Sequence, residues 1–262
     1  VSKTSKPPVQ TGGHYMVTIT GMGHSGEGVA RYQDLTIFVP QALPGETVET
    51  RITEVKKNYA KGKIVSIKQV SPDRLEPPCP VYDLCGGCQL QHLSYQGQLA
   101  IKYRQVYDAV TRIGKLPDVV IHPTLGAIHP WHYRNKMQFP VGNDANGNIV
   151  IGCYAQGSHN IVPADNCLIQ HNSNNTIAFQ VKRMAAELGL LPYNELTGEG
   201  LLRHVMGRVG TATGEVMIVL VTACDTIPHG KELIAALRAA VPGLVSIIQN
   251  VNLRKTNVIL GE

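Results

Sequence analysis

The sequence has few aromatic residues and no long apolar segment. Aromatic residues make up 5% of its 262 residues, with a single Trp, so platforms for stacking nucleic-acid bases must be few. No apolar run approaches the ~18 residues that indicate a membrane span, and residues 1–8 are too polar for a signal peptide. We therefore expect a cytoplasmic protein with reduced cysteines and no membrane partner. Nothing indicates an obligate protein partner, so we expect a monomer.

Excess charge is also modest, but it is unevenly placed. The net charge is +5, and residues 1–72 carry +4 of it, with nine Lys or Arg against five Asp or Glu. Such an excess in one part of a chain favours a polyanionic partner. The length fits one or two domains with real hydrophobic cores.

The first part of the chain has the pattern of a small β-barrel. Residues 1–12 are polar and contain Pro and Gly, so we expect a disordered tail. Residues 13–71 contain short β-branched runs separated by turn residues, which predicts an all-β, OB-like barrel. One turn of this barrel is basic, with a Tyr that can stack on a base, and we expect it to contact a polyanion through Lys56, Lys57, Tyr59, Lys61 and Lys63.

One glycine motif in this barrel suggests another function. Residues 21–26 match G-x-G-x-x-G in letters, but the segment that follows, residues 28–32, is strand-like. A dinucleotide site needs a helix there, because the helix N-terminus binds the pyrophosphate. We interpret these glycines as a turn.

The rest of the chain, residues 72–262, predicts an α+β domain with a mainly antiparallel sheet. Helical periodicity covers residues 95–113, 172–190 and 228–240, and strand-like segments lie between them. Trp131–Phe139 alternates as a strand does, and one of its faces is polar. We expect this face to contact the phosphates of a polyanion through His132, Arg134, Lys136 and Gln138. A weaker basic cluster is formed by Arg203, His204 and Arg208.

Three cysteines fall within ten residues, with the spacing C-x5-C-x2-C. They are Cys79, Cys85 and Cys88, and the two glycines between the last pair let the backbone turn tightly. A fourth ligand is needed, and Cys167 is the best candidate. Four thiolates suit an iron–sulfur cluster, while zinc with His92 as a ligand, a C-x-x-C redox pair and disulfides are the alternatives. Cys153 and Cys224 are expected to be free, buried thiols.

The motif C-x5-C-G-G-C-Q-L-Q-H-L, followed at long range by D-N-C, resembles the bacterial RNA 5-methyluridine (uracil-C5) methyltransferases of the iron–sulfur type. The resemblance extends from about His14 to Gly261. It implies a TRAM domain in the barrel, an RNA-binding domain with a 4Fe–4S cluster on Cys79, Cys85, Cys88 and Cys167, and S-adenosylmethionine as the methyl donor. It also implies that RNA is the substrate, with 23S rRNA favoured over tRNA, and that RNA is the polyanion contacted by the basic turn, by the polar strand face and by Arg203 and His204.

In that family a Rossmann-like methyltransferase domain follows, and it carries the catalytic residues. From where the sequence ends, we expect this domain to be absent, so that no catalytic or methyl-donor-binding residue is assigned. The expected function is then RNA recognition within a 23S rRNA methyltransferase, by a part that is inactive alone. The alternative is a non-enzymatic RNA-binding module with a structural metal.

Overall fold

The computed structural model describes residues 7–261, which form two compact units. The first comprises residues up to Pro78 together with Cys88–Gly126, and the second comprises Cys79–Gly87 together with Ala127 onward. The predicted second domain, 72–262, is therefore not one unit, because residues 88–126 group with the barrel. Residues 1–6 of the predicted tail lie outside the described residues, whereas Val9 is 5% exposed and belongs to the barrel core. Among the described residues no helix is long and apolar enough to cross a membrane.

Five strands of the first unit close into a barrel. They are β1 (His14–Met22), β2 (Gly28–Tyr32), β3 (Leu35–Val39), β4 (Thr47–Val55) and β5 (Tyr59–Gln69), in the order β1-β2-β3-β5-β4. Every neighbouring pair is antiparallel except β3 and β5. Alternate residues point inward, as the pleat of a strand requires, and Ile19, Ile37 and Val48 are at most 1% exposed. The segment after Gly21–Gly26 is strand β2 and not a helix, as we predicted.

A helix completes the first unit. The helix α1 (Tyr95–Asp108) continues into a π-helical turn, Ala109–Ile113, so the predicted helix over residues 95–113 is confirmed. The Ser94 hydroxyl accepts a hydrogen bond from the Gly97 N–H at 3.0 Å, which satisfies one of the free donors at the helix start. The helical segment ends at Gly114.

The second unit is a six-stranded sheet with two helices packed on one face. Its elements are β6 (Lys136–Asn143), β7 (Ile149–Tyr154), β8 (Ile161–Pro163), α2 (Asn172–Glu187), β9 (Leu202–Val209), β10 (Val216–Thr222), α3 (Gly230–Ala240) and β11 (Leu244–Val251). The strand order is β11-β10-β9-β6-β7-β8. Ile177 and Val181 of α2 and Leu237 of α3 are fully buried against the sheet. Each such side chain contributes roughly 1.5–3 kcal/mol.

Glycine permits the close approach of α2 to β9. A Cβ built on Gly207 lies 2.4 Å from the Asn174 Oδ1 and 3.0 Å from the Ile177 Cδ1. Any larger residue would push the helix away from the sheet. Because Gly207 faces α2, its neighbours Met206 and Arg208 point to the opposite face, which the helices leave uncovered.

Four of the five strand pairs in this sheet are antiparallel, as expected. The exception is the pair of β10 and β11, which is parallel and joined by α3, and this β-α-β unit is the element from which Rossmann-like sheets are built. One expectation about the sheet needs correction. The strand expected at Trp131–Phe139 begins only at Lys136, so Trp131 and Tyr133 are exposed. After β11, the Asn252 side chain donates hydrogen bonds to the carbonyl oxygens of Val258 and Ile259 at 2.6 and 2.9 Å.

Candidate functional site

The sheet face opposite α2 and α3 brings two basic side chains together. The antiparallel register of β6 and β9 places Lys136 directly opposite Arg208, and both residues are exposed. Neither forms an ion pair with another described residue. Like charges directly opposite each other destabilise a sheet. A bound polyanion would remove this repulsion, which makes the pair a candidate phosphate-binding site.

The residues before β6 are held in a loop and not in a strand. The Arg134 N–H donates to the Ile169 carbonyl oxygen at 2.9 Å, and the Arg134 carbonyl oxygen accepts from the His171 N–H at 3.0 Å. The imidazole Nδ1 of His132 lies 2.9 Å from the Gln170 carbonyl oxygen. The backbone is thus fixed, and the Arg134 side chain remains exposed.

Gln138 is half-buried on the same face as Lys136 and lies opposite Met206. Its amide therefore lies beside the Lys136–Arg208 pair on the same face of the sheet.

The Arg203 side chain binds other groups of the protein. It is 5% exposed, and its Nη1 donates to the carbonyl oxygens of Asn252 and Arg254, both at 2.7 Å. Its guanidinium carbon lies 4.6 Å from the centre of the Tyr193 ring. Arg203 therefore fixes the segment after β11 and orients Tyr193. The neighbouring His204 is 7% exposed, and its Nδ1 has no hydrogen-bond partner among the described residues.

The basic turn of the barrel is partly neutralised. Glu54 accepts from Lys56 at 2.7 Å and from Lys61 at 3.1 Å, and these hydrogen bonds lower the pKa of the Glu54 carboxyl. Lys57 and Lys63 are exposed and have no ion pair within residues 7–261. Tyr59 is half-buried, with its ring edge-to-face on Phe38 at 5.7 Å.

The cysteine loop of the second unit packs against the end of β7. The Gly86 N–H donates to the Tyr154 carbonyl oxygen at 2.9 Å, and a Cβ on Gly86 would lie 2.8 Å from that oxygen. A side chain at this position would therefore separate the loop from the strand. The loop also pairs with the strand's end through a bridge between Cys85 and Ala155.

This packing brings Cys85 to Cys153. A Cβ built on Gly87 would lie 3.4 Å from the sulfur of Cys85 and 3.5 Å from that of Cys153. The pKa of the Cys85 thiol is lowered to about 6, mainly by the hydrogen bond with Cys153. Burial raises this pKa. The Gly87 N–H, 3.4 Å from the Cys85 sulfur, lowers it further. The expectation of a buried Cys153 is wrong, because its side chain is half-buried. Nothing local in the sequence predicted its position beside Cys85.

The other cysteines differ in their exposure. Cys79, Cys88 and Cys167 are half-buried, and Cys224, which we expected to be buried, is exposed. The Cys167 loop is fixed by Asn175, whose Oδ1 accepts from the Cys167 N–H at 3.1 Å. Within residues 7–261 no three His, Cys, Asp or Glu side chains are arranged so as to hold a metal ion. The four-cysteine ligand set therefore stays a prediction.

Comparison with known proteins identifies a domain and several relatives. Residues 8–65 match the TRAM domain family. The chain is 46% identical to an uncharacterized RNA methyltransferase of Halalkalibacterium halodurans over 97% of this chain and 56% of that protein. It is 45% identical to one of Bacillus cereus over 100% of this chain and 57% of that protein.

A solved structure is also similar. It is the tRNA (uracil-54, C5)-methyltransferase of Pyrococcus abyssi in complex with S-adenosyl-L-homocysteine. The TM-score is 0.66 and the identity is 26%, over 94% of this chain and 54% of that chain. This chain thus spans about half the length of the relatives that it matches.

These matches correct the expected fold class, function and activity. We expected an RNA-recognition part of a 23S rRNA methyltransferase, without a methyltransferase domain and inactive alone. That expectation rested on where the sequence ends, which carries no such information. The matches instead run along 94–100% of this chain in proteins named as methyltransferases, one of them in complex with S-adenosyl-L-homocysteine. The assignment as a recognition part without activity is therefore wrong.

Proposed function

The chain belongs to the RNA 5-methyluridine methyltransferase family, and on this basis we propose that the protein methylates C5 of a uracil in a structured RNA. The observation that carries the proposal is the alignment of almost the whole chain with RNA methyltransferases. The neighbour in complex with S-adenosyl-L-homocysteine supports S-adenosylmethionine as the methyl donor.

RNA is the partner on two grounds. The TRAM domain and the relatives' names support it, and the exposed pair of Lys136 and Arg208 offers two positive charges to a phosphate backbone. We place further RNA contacts at Arg134, Gln138, Lys57 and Lys63, whose side chains are exposed or, for Gln138, half-buried. Lys56 and Lys61 already share Glu54, so we expect them to contribute less.

The nature of the RNA is a separate part of the proposal. Ribosomal RNA, and 23S rRNA in particular, is the first substrate to test. The similar structure is a tRNA methyltransferase, so tRNA is the second.

We further propose that Cys79, Cys85, Cys88 and Cys167 hold a 4Fe–4S cluster. All four cysteines are half-buried, and thiolates are the donors that such clusters take. The Gly87 N–H points to the Cys85 sulfur at 3.4 Å, and hydrogen bonds of this kind tune cluster sulfurs. In this proposal the cluster has a structural role, since it would fix the cysteine loop beside the sheet.

Methyl transfer tests the proposed function. The protein is incubated with tritiated S-adenosylmethionine and with 23S rRNA or tRNA that lacks 5-methyluridine. We expect tritium in one of the two RNAs, and digestion to nucleosides should place it in 5-methyluridine. Tritium in another nucleoside, or in neither RNA, would contradict the proposal.

A further inference from the structure

A cavity lies in the second unit at the point where β6 changes its pairing strand from β9 to β7. Residues Lys136–Pro140 of β6 pair with β9, and Val141–Asn143 pair with β7. Pro140 lies at the change of partner and has no N–H with which to continue the ladder. The cavity at this split has a volume of about 670 Å³, within the range of small-ligand sites.

Flat rings and side-chain amides line the cavity. Its walls include Tyr154, His159, Tyr193, Asn143, Asn160 and Asn194. The rings of Tyr154 and His159 are tilted by 33° with their centres 5.3 Å apart. Aromatic rings for stacking, together with groups that both donate and accept hydrogen bonds, are what proteins use to bind an unstacked base.

One wall of the cavity carries a buried polar atom without a partner. His204 lines the cavity, is 93% buried, and its Nδ1 finds no hydrogen-bond partner within residues 7–261. Buried polar groups are normally paired, so the His204 ring is a candidate to form a hydrogen bond with a ligand in this cavity. Burial, and then the neighbouring Arg203 charge, lower the pKa of His204 to about 4, so the imidazole is neutral at pH 7.

The charges in the cavity argue against a phosphate as its occupant. Asp144 and Glu195 both line it, and their carboxylates repel anions. His159 lies 3.7 Å from the Glu195 carboxylate, while the Arg203 guanidinium is already bound to backbone carbonyl oxygens. A neutral, flat ligand with hydrogen-bonding edges suits this arrangement.

The cavity lies on the same sheet face as the basic pair. Pro140 pairs with His204, and Lys136 pairs with Arg208 four residues away on the same two strands. Four residues of strand span about 13 Å. A strand of RNA with a phosphate at the basic pair therefore reaches the cavity with a neighbouring nucleotide.

We propose that this cavity binds one unstacked RNA base, through His204 and the rings of Tyr154, His159 and Tyr193. The inference rests on the proposed function in that the ligand is RNA. It adds that the protein reads an unpaired nucleotide with its second unit.

Histidine NMR tests the inference directly. The full chain is labelled with ¹⁵N-histidine and titrated with four RNA tetranucleotides, each made of one base, and with an abasic tetranucleotide of the same backbone. We expect at least one base-bearing tetranucleotide to shift the ring-nitrogen signal of His204. The abasic tetranucleotide should leave that signal in place. The signal is assigned from the spectrum of His204→Gln.

Two variants separate a binding role from a folding role. His159→Ala changes an exposed loop side chain and should weaken the binding of the responding tetranucleotide roughly tenfold, as the loss of base stacking does. His229→Ala, at the start of α3, is the matched control and should leave the affinity unchanged.

The inference is overturned if no base-bearing tetranucleotide shifts the His204 signal, if the abasic one shifts it equally, or if both variants bind alike. Methylation of 23S rRNA or tRNA is measured separately, so a failure of the cavity inference stays distinct from a failure of the proposed function.

Discussion

At the scale of single residues, Glu46 is the most completely buried charge of the barrel. Its side chain is fully buried, and its two oxygens accept from Arg74 at 2.6 and 2.9 Å and from the Leu43 N–H at 2.8 Å. Burial alone raises the pKa of this carboxyl. The hydrogen bonds from Arg74, Leu43 and Ser71 outweigh burial and hold the pKa below its usual value.

Replacing Arg74 by Ala leaves this buried carboxylate without its cation. We expect the free energy of unfolding at pH 7 to fall by about 3–5 kcal/mol, as it does when one partner of a buried ion pair is removed. Arg31→Ala, an exposed change in the same barrel, should cost far less. Urea denaturation of both variants measures the difference, and equal costs would contradict the role assigned to Glu46.

The pH dependence of this variant has a definite sign. In the natural protein the lowered pKa of Glu46 contributes stability above the carboxyl's ordinary pKa, and this contribution is lost as the pH falls through the lowered value. In Arg74→Ala that contribution is missing. The two stabilities should therefore converge as the pH falls through the carboxyl range, and a gap that widens would contradict the account.

At the scale of elements, the sequence predicted local structure well and long-range pairing poorly. The helix start at Tyr95 lies where helical periodicity placed it. Alternation also assigned Lys136 to a polar face. Alternation did not predict that Arg208 pairs with Lys136, because the register of two strands depends on both strands and on the turns that join them. For the same reason, Cys153 beside Cys85 was not predicted.

The cysteine loop gives a prediction at this scale. Protein purified without oxygen should hold about four irons per chain, as a four-thiolate cluster requires. Cys167→Ala should lose most of the iron, whereas Cys153→Ala should keep it, because Cys153 approaches Cys85 without being one of the proposed ligands. Cys224→Ala, at an exposed thiol, is the control. Retained iron in Cys167→Ala with loss in Cys153→Ala would show that the ligand set is wrong, and stoichiometric zinc would exclude the cluster.

At the scale of the whole molecule, net charge was an incomplete guide to the RNA-binding surface. The first 72 residues carry +4, which drew attention to the barrel lysines, yet Lys56 and Lys61 share Glu54. Residues 73–262 carry only +1, but their folding sets Lys136 directly opposite Arg208. The arrangement of charges, which only the fold determines, decides where a phosphate backbone binds.

The most direct test of this account is the salt dependence of RNA binding by the double variant Lys136→Ala/Arg208→Ala. The slope of log affinity against log salt should become shallower by about 0.7–0.9 for each lost phosphate contact. Without RNA the same variant should be more stable by about 0.2–1 kcal/mol, since opposed like charges are removed. Lys231→Ala, exposed on α3, should change neither quantity. An unchanged slope in a folded double variant would contradict the assignment of this face to RNA.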